Sequence, residues 1–211
     1  MIVLSAYLLG SIPTGYLLAQ FRGVDIRQVG SGNIGATNVF RILGKSAGTF
    51  VLLADALKGF VACYFLGQIV EALFGASDNQ KASSREYYSI VAGLAAILGH
   101  NYTCWLKFKG GKGIATSAGV LIALVPWALL IILAIWIVVF AASRYVSLAS
   151  ISAAFSLPFA VWLTGGTPTM VLIMAGVGAL AIYKHKMNIQ RLLNGTESKL
   201  GAKKTAHEST T

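Results

Sequence analysis

The amino-acid sequence predicts an all-α integral membrane protein of seven transmembrane helices, N-terminus outside and C-terminus cytoplasmic, with a candidate active site on the cytoplasmic face. Three observations carry this. The 211-residue chain is 56% hydrophobic and only 11% charged, with a mean hydropathy of +0.71, more apolar than a soluble domain keeps in water. Apolar runs recur along its length; lipid leaves open backbone groups without partners, so these runs are helices. Positive charge is also one-sided: four Lys and Arg lie in 22–46, three in 107–112, one at Arg144 and six after residue 183, against Lys81 and Arg85 outside. The formal charge of +10 therefore reads as the positive-inside signal, and nucleic acid is not an expected partner.

Residues 1–21 form the first span, kinked at Pro13 and Gly15; no basic segment precedes it, and Arg22 and Arg27 follow. Residues 22–46 are a cytoplasmic loop. Residues 48–74 return with Asp55 and Lys58 three apart on one face, read as a structural ion pair, with a substrate role as the alternative. Residues 75–86 form an outer polar loop and 87–104 the third span. The apolar run 114–142 is long for one helix and short for two. Charge parity decides it: a single helix would put the basic C-terminal segment outside, so the run divides near Val125 and Pro126. Ser143 to Ser147 turn inside, 148–163 go out, 164–168 turn, and 169–183 come back. One membrane domain thus covers 1–195; residues 196–211 are a polar, disordered tail assigned no chemistry. Cys63 and Cys104 lie far apart in or beside apolar runs and read as reduced and structural; no metal cluster or cofactor is indicated.

Three cytoplasmic segments carry chemistry. GSGNIGATNVFRILGK, residues 30–45, combines glycines, small polar residues and two cations, the composition of an anion cradle. Gly30, Gly32 and Gly35 satisfy the dinucleotide spacing, and Asp55 stands downstream, but flanking transmembrane helices leave no βαβ unit to hold a dinucleotide. A P-loop fails as well, since its first glycine would fall at Val39. Thr37 or Asn38 can cap a short helix that places Thr37 and Arg41 on one face. GHNYTCWLKFKGGKG, residues 99–113, sets His100 beside a Lys-flanked Gly-Gly pair. In IYKHKMNIQRLLNG, residues 182–195, His185 and Asn188 lie three apart on a helical continuation of the last span. Any one of these is compatible with an ordinary basic loop; three on one membrane face read as a phosphate-rich site.

GSGNIGATN with Arg41, GHNY followed by FKGGKG, and YKHKMNI with Arg191 resemble the three cytoplasmic motifs of the bacterial acyl-phosphate:glycerol-3-phosphate acyltransferase (PlsY) family. DALKG at 55–59 and RYVSLASI at 144–151 agree too; Thr103 departs, standing where the family commonly has proline. The resemblance spans Met1 to about Gly195. It implies transfer of a fatty acyl group from acyl phosphate to the 1-hydroxyl of sn-glycerol 3-phosphate, giving lysophosphatidic acid and phosphate at the bacterial inner membrane, the first acylation of phospholipid synthesis. Ser31, Gly32, Asn33, Gly35, Thr37 and Asn38 would hold the acyl-phosphate head. Arg41 and Lys112 would hold glycerol phosphate or the leaving phosphate, and His185, Asn188 and Ser150 would orient the acceptor, with His100 also at the substrate. The expected partners are these substrates, the lipid bilayer and, transiently, the soluble enzyme that makes acyl phosphate; the chain is expected to be monomeric. Acyl phosphate is already activated, so no acyl-enzyme is needed, and either His185 or a substrate phosphate accepts the proton. Rival readings are an organic-phosphate transporter, disfavoured because no inverted repeat is apparent and the phosphate-binding groups crowd one face, and an anionic-lipid scaffold, which leaves the glycine spacing unexplained.

Overall fold

In the computed structural model, residues 1–66, 68, 69, 72 and 81–201 are described, and every regular element among them is helical. The first apolar run is broken. Helix α1 (Ile2–Ser11) stops before Pro13 and α2 (Thr14–Phe21) restarts after it, because proline supplies no N–H and pushes Ile12 out of helical geometry to ψ 112°. The freed carbonyls find partners on other segments: Lys58 Nζ of the helix Lys45–Val61 donates to Ile12 O at 2.8 Å and Thr103 Oγ1, before the turn Cys104–Leu106, to Ser11 O at 2.6 Å.

Helix α3 (Ala36–Leu43) is the one markedly amphipathic helix of the N-terminal half, and it lies against α4 (Lys45–Val61), which runs on as a π turn, Ala62–Leu66. Its N-cap is Gly35, so Thr37 and Asn38 stand inside its first turn instead of capping it. Helix α5 (Lys81–Asn101) begins six residues earlier than the third predicted span. Its first turns are polar but rich in helix formers, and polarity alone does not end a helix. Residues 75–80 of the expected outer loop lie outside the described residues.

The run 114–142 divides as charge parity requires, into α6 (Ile114–Leu124) and α7 (Pro126–Ser143), with Pro126 at the first turn of α7. Helix α8 (Val146–Leu163) returns alongside α7, and α9 (Pro168–Lys184) packs on α8. The helical continuation expected after the last span is present as α10 (Lys186–Leu193), set off from α9 by a 57° bend at His185. Four helical stretches among the described residues are long and apolar enough to cross a membrane, Ile2–Phe21, Lys45–Leu66, Pro126–Ser143 and Val146–Leu163; the bent pair α9–α10 meets the same requirement only when its two helices are taken as one stretch.

Close approach through small residues holds the bundle together, as expected where lipid removes the hydrophobic drive between helices. A Cβ on Gly10 would collide with Ala96 of α5, one on Gly59 with Thr116, and one on Gly178 with Ala154. The outer surface is oily: Leu53, Trp127, Val138, Phe155, Trp162 and Leu172 are all more than half exposed.

Candidate active site

The glycine loop after α2 is built around one buried amide. Asn38 is 1% exposed; its Oδ1 accepts the Ser31 N–H at 2.9 Å, and its Nδ2 donates to the carbonyls of Ile26, Val29 and Asn33 at 3.2, 3.1 and 2.9 Å. Asn33 Oδ1 accepts the Gly35 N–H at 2.9 Å. Of the two asparagines expected at the acyl-phosphate head, Asn38 therefore spends both polar atoms inside the loop and Asn33 spends its Oδ1 there. Gly30 (φ 61°) and Gly32 (φ 68°) supply the left-handed backbone it needs, and Ser31 and Gly32 remain exposed at its rim.

Arg41, four residues beyond Thr37, reaches a cluster from four other segments. The Lys112 loop lies between the short turn Cys104–Leu106 and α6; Ser147 and Ser150 stand one turn apart on α8; His185 sits in the α9–α10 bend; Asn188 and Arg191 lie on α10. The cations are coupled: Lys112 feels Arg41 and Arg191, and His185 feels Lys112. Burial pushes the Lys112 ammonium down to about 8, with Arg191 and Arg41 adding to the effect and Glu197 opposing it.

Glu197 sits at the centre. Its Oε1 accepts from Ser147 Oγ and Asn188 Nδ2, both at 2.7 Å, and its Oε2 accepts from Arg191 Nε at 2.8 Å. Burial would raise its carboxyl, but hydrogen bonds from Arg191, Ser147 and Asn188 outweigh that and hold it below the usual range. The segment carrying it straps across the site: Arg41 Nη2 donates to Ser198 O at 2.9 Å, and Leu200 N donates to Arg144 O at 3.0 Å. The sequence analysis gives the chain after residue 195 no chemistry; residues 196–201 nonetheless close the site, while 202–211 lie outside the described residues. Ser147 and Glu197 escape sequence reading because their partners are up to 50 residues away. The available signal is that Glu197 follows thirteen residues, 184–196, that hold three cations, Lys184, Lys186 and Arg191, and no acid.

His185 Nδ1 lies 2.8 Å from Ala181 O, which can only accept, so the ring proton is on Nδ1 and the Nε2 lone pair is free. Burial, then Lys112, depress the ring to about 4. Of the five buried side-chain atoms without a hydrogen-bond partner among the described residues, two lie in this cluster, the donor Arg41 Nε and the acceptor Asn188 Oδ1; the others are Asn101 Nδ2, Asn101 Oδ1 and Thr116 Oγ1. Ser150 Oγ accepts from Trp136 Nε1 at 3.1 Å, leaving its O–H to donate. His100 is not brought here: its ring, 5% exposed, lies 3.0 Å from Lys58 Nζ and 3.7 Å from Asp55 Oδ1, in the predicted ion pair. Among the described residues no group of three His, Cys, Asp or Glu could hold a metal.

The family model for glycerol-3-phosphate acyltransferase matches residues 1–195. The chain belongs to this family. Glycerol-3-phosphate acyltransferases of Endomicrobium trichonymphae and Aquifex aeolicus are 47% and 46% identical, over 94% and 93% of this chain and 94% and 96% of theirs. The crystal structure of PlsY (YgiH), an integral membrane glycerol 3-phosphate acyltransferase in its glycerol 3-phosphate form, is 42% identical with a TM-score of 0.82, covering 95% of this chain and 94% of that one. Its lysophosphatidic acid form gives 0.79 at the same identity and coverage. As a family member, this chain is an integral membrane protein whose cationic cluster is formed by the family's matched region closed by Glu197, two residues past its end.

Proposed function

We propose that this protein transfers a fatty acyl group directly from acyl phosphate to the 1-hydroxyl of glycerol 3-phosphate, releasing lysophosphatidic acid and inorganic phosphate. The observation carrying this reading is the convergence of Arg41, Lys112 and Arg191 with the unpartnered Arg41 Nε and Asn188 Oδ1. Bringing two phosphate-bearing substrates together sets like charges against each other. At about 4 Å and an effective dielectric near 20, each unit pair costs about 4 kcal/mol, so the site must supply fixed cations before reaction.

In this assignment Arg41 and Lys112 hold the glycerol phosphate or the leaving phosphate, and Arg41 Nε donates to a phosphate oxygen. Asn188 Oδ1 accepts from an acceptor hydroxyl, while its Nδ2 is fixed by Glu197. Gly32, Gly35, Ser31 and Thr37 present the acyl-phosphate head, with Asn33 and Asn38 shaping the loop that does so. The acceptor O1 attacks the acyl carbonyl carbon, the C–O bond to phosphate breaks, and phosphate leaves. The hydroxyl proton goes to a phosphate oxygen, whose second pKa is near ~6. His185 has a free Nε2 lone pair but little basicity in the unliganded site, which supports a positioning role.

The acyl tail has a path beside this cluster. A cavity of about 300 Å³ is walled by Phe40, Phe140 and Ala141, with Lys45 and Arg144 at its polar side and Leu200 and Gly201 of the 196–201 strap also in its lining. We place the chain as seven spans in a bacterial inner membrane, cluster facing the cytoplasm, because 14 of the 17 Lys and Arg then fall on that side. The test is phosphate release by purified protein in detergent with acyl phosphate and glycerol 3-phosphate. Acyl-CoA should not replace the donor. Movement of glycerol phosphate across liposomes without phosphate release would favour the transporter reading instead.

A further inference from the structure

Beneath the Lys112 loop lies a second charged cluster that the proposed chemistry does not use. Asp55 and Lys58, 2% and 6% exposed, pair at 2.8 Å on α4. Thr14 Oγ1 of α2 donates to Asp55 Oδ1 at 3.2 Å. Lys58 Nζ also donates to Ile12 O, in the α1–α2 break, at 2.8 Å, and lies 3.0 Å from His100 Nδ1. An ammonium has three protons, and these three acceptors use them all. His100 Nδ1 is then an acceptor, so the ring is neutral with its proton on Nε2. That nitrogen abuts Gly111: a Cβ there would collide with it.

The same end of α5 holds the loop's backbone. The Gly111 N–H donates to His100 O at 3.0 Å, the Gly110 N–H donates to Asn101 O at 3.2 Å, and Lys184 Nζ donates to Asn101 O at 2.9 Å. The glycine pair therefore wraps the unsatisfied helix terminus of α5, and Lys112 is the next residue. An ion pair that only held helices together would need neither a histidine oriented by the lysine nor a glycine cleared to receive its ring.

We infer that Asp55, Lys58 and His100 are positioning residues for glycerol phosphate binding, acting through His100 and Gly111 to hold the Lys112 ammonium in the site. Lys58 fixes the ring, the ring fixes the loop, and the loop aims the cation. This rests on the acyl-transfer reading for its kinetic consequence, but not for its geometric one.

Two readouts separate these. The first is amine acylation of Lys112, followed by mass spectrometry on folded protein in detergent; the second is KM and kcat for glycerol 3-phosphate. Asp55→Asn/Lys58→Met removes the charges as a pair, which buried pairs often tolerate, and His100→Leu removes the ring acceptor. The expected result for both is a melting temperature within about 3 °C of the parent, several-fold faster labelling of Lys112, and a KM raised about tenfold with a smaller change in kcat. His100→Asn, which restores an acceptor near Nδ1, should recover most of the KM. Gly111→Ala should behave like His100→Leu, and adding His100→Ala to it should leave the labelling fast, because the ring that fixes the loop is then absent. Folded variants with parental Lys112 labelling overturn the inference. A parent protein that releases no phosphate contradicts the acyl-transfer reading, and labelling alone then decides the positioning claim.

Discussion

Replacing Glu197 with alanine tests whether the strap organises the cationic cluster. The carboxylate, 9% exposed, accepts three hydrogen bonds of 2.7, 2.7 and 2.8 Å from Ser147, Asn188 and Arg191. Hydrogen bonds to charged groups are worth about 1.5–3 kcal/mol each but do not add, and Arg191, 35% exposed, keeps part of its solvation when its partner goes, so the loss is about 2–4 kcal/mol. For a domain of this size that corresponds to a fall in melting temperature of roughly 4–16 °C. Arg191 and Lys112 would also lose their nearest counter-charge, and Asn188 Nδ2 its fixed partner, so the acceptor site loses its orientation. The assay is thermal unfolding in detergent alongside phosphate release. Glu197→Gln keeps one acceptor oxygen and should fall between parent and alanine variant in both measurements. An alanine variant with parental melting temperature and parental kcat/KM would refute the assignment of Glu197 as the organising group.

Lys112→Ala should lower kcat/KM by about 10²–10³, the usual effect of removing one preorganised charge donor, with melting temperature nearly unchanged because the side chain leaves a cluster of like charges. Because burial depresses Lys112 to about 8, its charge is present below that value and lost as pH rises through it. kcat/KM, which reports the free enzyme, should therefore fall above pH ~8, and Lys112→Arg, charged throughout, should move that limb upward if it retains activity. His185→Gln should keep kcat within about tenfold of the parent if the ring positions substrate, whereas loss beyond about 10³ would make it the essential base. Phe140→Trp, which narrows the 300 Å³ cavity, should shift donor preference toward shorter acyl chains, read by competing acyl phosphates of different length.

The helices were legible because lipid enforces them. Composition set the class, the positive-inside count divided 114–142 at the place where Pro126 starts α7, and Pro13 marked the first break. Local polarity was the wrong guide at Lys81, where helix formers carry α5 past the expected boundary. At the site, charge and spacing brought out Arg41, Lys112, His185 and Asn188. What spacing does not report is which polar atoms are already used. Asn38 satisfies four backbone groups of its own loop, and His100 turns inward to Lys58, so two residues with the right chemistry face away from a ligand. Glu197 shows the converse. A polar tail reads as solvent-exposed until a cationic hollow is found for its one early carboxylate to fill.

The most direct test of the acyl-transfer reading is the stoichiometry of the reaction itself. Purified protein in detergent, given labelled acyl phosphate and glycerol 3-phosphate, should form one 1-acyl-glycerol 3-phosphate for each phosphate released, with no acylated protein trapped when the acceptor is omitted. Phosphate release without acylated glycerol phosphate, or an acyl group covalently held on the chain, would contradict direct transfer at the Arg41–Lys112–Asn188 cluster.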